Sequence, residues 1–120
     1  MSVIRTFTVT VSNPGSGNRY YIDSVLQETV NLAEQFTYKF DQSDSSNSGH
    51  PLKFSTTSNG THGGGSEYTT GVTYNGTPGN AGAYTQITVA NPAPQLYYYC
   101  QYHSGMGGQA NTESSNSWGL

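Results

Sequence analysis

Residues 35–40, Gln-Phe-Thr-Tyr-Lys-Phe, place Phe36, Tyr38 and Phe40 on one side of the chain and Thr37 and Lys39 on the other. A period of two is the signature of a strand with one buried face; a helix would scatter the three rings around its circumference. The same period recurs in 6–11, where Phe7, Val9 and Val11 oppose threonines, and in 83–90 through Tyr84, Ile87 and Val89, with a slip that a bulge would absorb. Arg19–Ile22, Leu52–Ser55 and Gln95–Cys100 read as further short strands. Residues 25–33 fit either period; the β-rich neighbours favour a strand that groups Val30 and Leu32 with Leu26 or Glu28.

Turn chemistry fills the gaps. Residues 12–18 and 41–49 are polar loops, and eight glycines with two Asn-Gly pairs lie between Thr56 and Gly82, around a further strand candidate at 67–74. About seven to eight short strands with such connections predict an all-β Greek-key sandwich or barrel. A chain of 120 residues has room for one core. The expected division is a β-sandwich over 1–110 and a polar C-terminal tail over 111–120, in which Trp118 is either a dangling end or a partner-binding anchor.

Charge and motif content narrow the function. Four Lys/Arg against seven Asp/Glu, with 9% charged residues overall, provide no basic stripe for a phosphate backbone, so no nucleic-acid partner is expected. No apolar run approaches a membrane span. The carboxylates are scattered rather than paired, no serine sits in a triad-like pattern, and no glycine stretch leads into a helix that could cradle phosphate. No enzyme activity is therefore expected. Asp41 and Asp44 are read as turn caps rather than calcium ligands, and Asn59-Gly-Thr and Asn75-Gly-Thr as turns rather than glycosylated sequons.

One segment stands apart. Leu96–Gly108 holds the only cysteine, Cys100, followed by His103 and Met106 at intervals of three. Singly, a cysteine closing an aromatic strand is ordinarily a small buried hydrophobe, and a methionine near a turn is packing. Together, a strand ending at Cys100 and turning tightly at Ser104, Gly105 and Gly107 can set thiol, imidazole and thioether around one point. That donor set suits copper, and its trigonal form needs a second histidine. His50 and His62 are the candidates. His50, just before the 52–55 strand, is the better placed, because His62 lies in a glycine stretch suited to mobility.

These segments, Ser48–Ser55 and Tyr97–Met106, resemble the cupredoxins, in which one histidine precedes a strand and a later loop supplies Cys, His and Met. The resemblance covers residues 4–110. It implies a cupredoxin-type sandwich with His50, Cys100, His103 and Met106 as ligands of one copper ion in a type 1-like site. A closer likeness, running from Tyr20 through Gly108, is to a cupredoxin-like module in structural proteins of marine tailed phages, including cyanophages.

Three features depart from the electron carriers of the family: Pro51 stands where an orienting asparagine commonly follows the first histidine, Tyr102 and Ser104 flank His103 in place of an apolar patch, and the start of the chain lacks a signal-peptide pattern. The implied function is a non-catalytic virion structural protein made in the host cytoplasm. It would be a capsid decoration (cement) or tail/fibre module in a multi-copy assembly, with the major capsid protein or tail proteins as partners. The alternative is a type 1 (blue) copper electron-transfer protein, and a third reading has the metal only pinning the loop.

Overall fold

The computed structural model describes residues 2–114; Trp118 and the rest of 115–120 lie outside the described residues. Among the described residues eleven strands run in chain order as β1 (Val3–Ser12), β2 (Arg19–Ile22), β3 (Val25–Leu26), β4 (Val30–Ala33), β5 (Thr37–Asp41) and β6 (Leu52–Ser55), then β7 (Glu67–Tyr68), β8 (Val72–Asn75), β9 (Tyr84–Thr88), β10 (Leu96–Cys100) and β11 (Gly108–Glu113). They form two sheets, ordered β3-β2-β1-β5-β9-β8 and β4-β11-β10-β6-β7. Each sheet is mixed: β1 and β5 pair in parallel, as do β4 and β11, and the other pairings are antiparallel. The fold class is all-β and sandwich-like, as the alternation predicted. Among the described residues no helix is long and apolar enough to cross a membrane.

The core lies between the inward faces of the two sheets. Phe7 of β1 stacks on Phe40 of β5 at 4.9 Å, and Phe40 meets Phe54 of β6 edge-on at 5.4 Å, joining one sheet to the other. Val9, Ile22, Leu32, Leu52, Ile87 and Leu96 fill the space around these rings and are almost wholly buried. Each such side chain contributes about 1.5–3 kcal/mol by leaving water.

Four local expectations are corrected. Residues 25–33 are not one strand. Gln27 takes a left-handed φ of +46°, and the chain leaves the first sheet as β3 and enters the second as β4. The strand candidate at 67–74 likewise divides into β7 and β8, in different sheets, so the strands outnumber the seven or eight expected. No bulge interrupts β9, whose register with β5 runs unbroken from Thr88 to Tyr84. Its inward face is Ala83, Thr85, Ile87 and Val89, with Thr85 satisfied by a hydrogen bond to the Leu52 carbonyl at 2.8 Å. Tyr84 faces the other way, under Lys39. Lastly, Asn111–Glu113, counted with the polar tail, form the end of β11 and pair with Asn31–Ala33 of β4. Backbone pairing needs no apolar side chains, so composition concealed this strand.

Candidate metal centre

The register of two neighbouring strands creates the site. In the β6–β10 pair Leu52 faces Cys100, and just beyond it the Gln101 N–H donates to the Pro51 carbonyl at 3.1 Å. His50, two residues before Leu52, is thereby brought beside the last residue of β10. Along β10, Leu96, Tyr98 and Cys100 share the inward parity, which buries the thiol completely.

Cys100 Sγ lies 3.6 Å from Nδ1 of His50 and 3.6 Å from Nδ1 of His103. The two imidazole rings are 4.7 Å apart, and the three donor atoms all fall within 4.8 Å of one another. Ligands bound to one first-row ion at about 2.3 Å (sulfur) and about 2.0 Å (nitrogen), with angles of a trigonal or tetrahedral site, stand about 3.5–3.7 Å apart. The observed spacing matches that requirement, so the residues present fit a metal. Met106, 1% exposed, is buried in the same core as Cys100. A thiol, two imidazoles and a thioether form the donor set of a type 1-like copper site.

His50 and His103 differ in setting. His50 is buried and His103 is exposed. Burial pushes the His50 pKa below its ordinary 6.5, and the neighbouring His103 adds to the shift, so His50 holds the neutral form that a metal requires. His62 is not in the cluster. Its Nε2 bonds the Cys100 carbonyl at 2.8 Å, and since a carbonyl only accepts, this nitrogen donates. The glycine stretch around His62 is an ordered 3-10 turn, Gly60–Gly63, packed under the Tyr99 ring so closely that a Cβ on Gly60 would come within 2.4 Å of it.

Residues with no metal-ligating chemistry complete the site. The His50 carbonyl accepts from the Tyr20 hydroxyl at 2.6 Å and from Gln42 Nε2 at 2.7 Å. Gln42 also accepts from the Leu52 N–H through Oε1 at 2.9 Å and donates to Asn47 Oδ1 at 3.0 Å, and Asn47 donates to the Val9 carbonyl at 2.8 Å. All three side chains are buried. Tyr20 and Gln42 thus hold the His50 segment through its carbonyl. Burial, followed by the adjacent Cys100, drives the Tyr20 pKa well above its ordinary value and keeps the hydroxyl a donor. Asp41 and Asp44 behave as turn caps, accepting from the Ser43 and Ser46 N–H groups.

The Cys-His-Met loop is held separately. Asn59 accepts from the Gly105 N–H at 2.8 Å and donates to Ser104 Oγ at 2.8 Å, while the Tyr20 N–H donates to the Met106 carbonyl at 2.9 Å. Gly107 passes so close to β10 that a Cβ there would come within 1.7 Å of the Tyr98 carbonyl oxygen. The sequence missed Gln42, although it extends the inward alternation of Tyr38 and Phe40 by one more step. Asn47 and Asn59 carry no periodic signal at all.

This cluster overturns the expectation of a purely non-catalytic virion structural protein. A module that works only through its outer surface has no use for a buried thiol and imidazole converging with a second imidazole at ligand spacing, and no feature of the described residues supports a place in a virion. The donor set favours a cofactor-binding role. No protein-family model matches the chain, and no curated protein matches its sequence.

Proposed function

We propose that this chain is a type 1 copper protein of the cupredoxin type that carries single electrons. The observation behind this reading is the convergence of Cys100, His50 and His103, with both sulfur–nitrogen separations at 3.6 Å. Bound copper supplies a one-electron couple at such a site.

The chain's own residues do the rest. Cys100 would hold the metal through its sulfur, as the thiolate that such ligation requires. His50, neutral and anchored by its carbonyl, offers Nδ1 from the core side. His103 offers Nδ1 from the exposed side, where its ring gives a short route between the buried thiol and solvent. Met106, buried in the same core, would supply a thioether. The Tyr20–Gln42–Asn47 network resists displacement of His50 when the charge at the site changes, which keeps reorganisation small. The mixed sheets, the strand register that sets His50 beside Cys100, and the ligand loop directly after β10 support the cupredoxin assignment.

Voltammetry of the copper-loaded protein tests this function. A reversible one-electron wave at one copper per chain, absent in Cys100→Ser, is expected. Stoichiometric copper binding without a reversible wave would reject electron transfer and leave a structural metal.

A further inference from the structure

We infer that Gln27 is a positioning residue that fixes Met106 in the site; this rests on the copper reading above. Its single side-chain nitrogen, Nε2, donates to the Gly105 carbonyl at 3.0 Å and to the Gly107 carbonyl at 2.7 Å, the two carbonyls that bracket Met106. The carbonyl between them, that of Met106, accepts from the Tyr20 N–H at 2.9 Å. Three consecutive carbonyls are thus held by the β2–β3 hairpin, which contributes none of the four ligands. Gln27 is itself tied to that hairpin, its N–H donating to the Tyr20 carbonyl at 2.9 Å.

The backbone at Gln27 shows why a side chain is needed here. Its φ of +46° lies in the left-handed region that glycine occupies freely and other residues occupy at a cost. Asp23 and Ser24, at +50° and +69°, form the preceding two-residue hairpin turn, again without glycine. Asp23 uses its carboxylate to accept from the Thr8 N–H and to pair with Arg5. Gln27 uses its amide on the ligand loop. A position that tolerates unfavourable backbone geometry, and whose side chain reaches 80 residues ahead to one loop, is one where that reach compensates the cost. Gly105 and Gly107 give the loop no side-chain packing of their own, so these polar contacts act with the Asn59 bond to the Gly105 N–H and the burial of the Met106 side chain to place residue 106.

Because a thioether ligand would tune the potential of copper held here, Gln27 would act on that potential through Met106. Two variants separate this from a role in folding. Gln27→Gly removes the amide while making the backbone conformation easy; Gln27→Glu keeps the shape but replaces the two donors with acceptors facing carbonyls. Copper-loaded, both are expected to keep the thiolate-to-copper band, because Cys100, His50 and His103 are untouched. Their reduction potentials should shift from wild type in the direction of Met106→Leu, by less than that variant. In metal-free protein, methyl NMR reads Met106 directly, since the chain has only two methionines. Its methyl order should fall in Gln27→Gly. A lowered melting temperature with unchanged potential and unchanged methyl order would overturn the proposal. If wild type itself shows no thiolate-to-copper band, the copper reading fails, while the methyl order in metal-free Gln27→Gly still decides whether Gln27 holds Met106.

Discussion

His50 and the Cys-His-Met loop approach the same point from opposite surroundings. Behind His50 is a buried network in which Tyr20, Gln42 and Asn47 are each satisfied and almost inaccessible. The loop is tied by Gln27, Asn59 and His62, which reach it from partly exposed positions. A buried polar group left unpaired loses about 1–3 kcal/mol, whereas an exposed one turns to water at little cost. The polar ties behind His50 are therefore bound up with the fold's stability, whereas those of the loop can be altered at smaller cost.

The largest break in this contrast is Gln42→Leu, which leaves the Leu52 N–H without an acceptor, Asn47 Oδ1 without a donor and the His50 carbonyl with one partner fewer. The expected loss is about 2–4 kcal/mol in urea unfolding. A loss comparable to an exposed substitution would show that the network does not hold this half. Gly107→Ala comes next. Its Cβ must displace the loop from the Tyr98 carbonyl, costing about 1–3 kcal/mol and weakening copper binding, both measurable in one set of titrations.

Tyr20→Phe is milder, because the ring still packs and Gln42 still serves the His50 carbonyl. A loss of about 0.5–1.5 kcal/mol is expected, with the copper site intact. The smallest effect is on pH dependence. His50 has a folded pKa below its ordinary 6.5, so the unfolded chain binds the proton more readily. Metal-free stability from this residue is therefore fully present above 6.5 and declines as pH falls below it, until His50 also protonates in the folded state. His50→Gln should flatten that slope; an unchanged slope would place its origin elsewhere.

Much of this was legible in the sequence, for physical reasons. Period-two runs specify strands because one face must be buried, and β1, β5 and β9 were located that way, while β2, β6 and β10 stood out as short aromatic or aliphatic runs between turn segments. The meeting of Cys100 and His103 was legible because they share one tight loop, and that of His50 with them because it precedes a strand that pairs with β10. Hidden features were those in which polar residues do structural work. Asn111–Glu113 pair through backbone and amide side chains with no apolar alternation to show it, Gln42 looked like the start of a solvent loop, and the left-handed turn at Gln27 gave no glycine to mark it. The purely structural reading rested on Pro51, on Tyr102 and Ser104 beside His103 and on a resemblance, none of which changes whether the donor atoms converge.

The central claim is that the buried thiol and two imidazoles constitute a copper site. A visible absorption titration of the purified protein with Cu(II), run beside Cys100→Ser, tests it most directly. An intense blue thiolate-to-copper band that saturates at one equivalent and is missing from the variant is the predicted result. A colourless titration, or the same spectrum with and without Cys100, would contradict it.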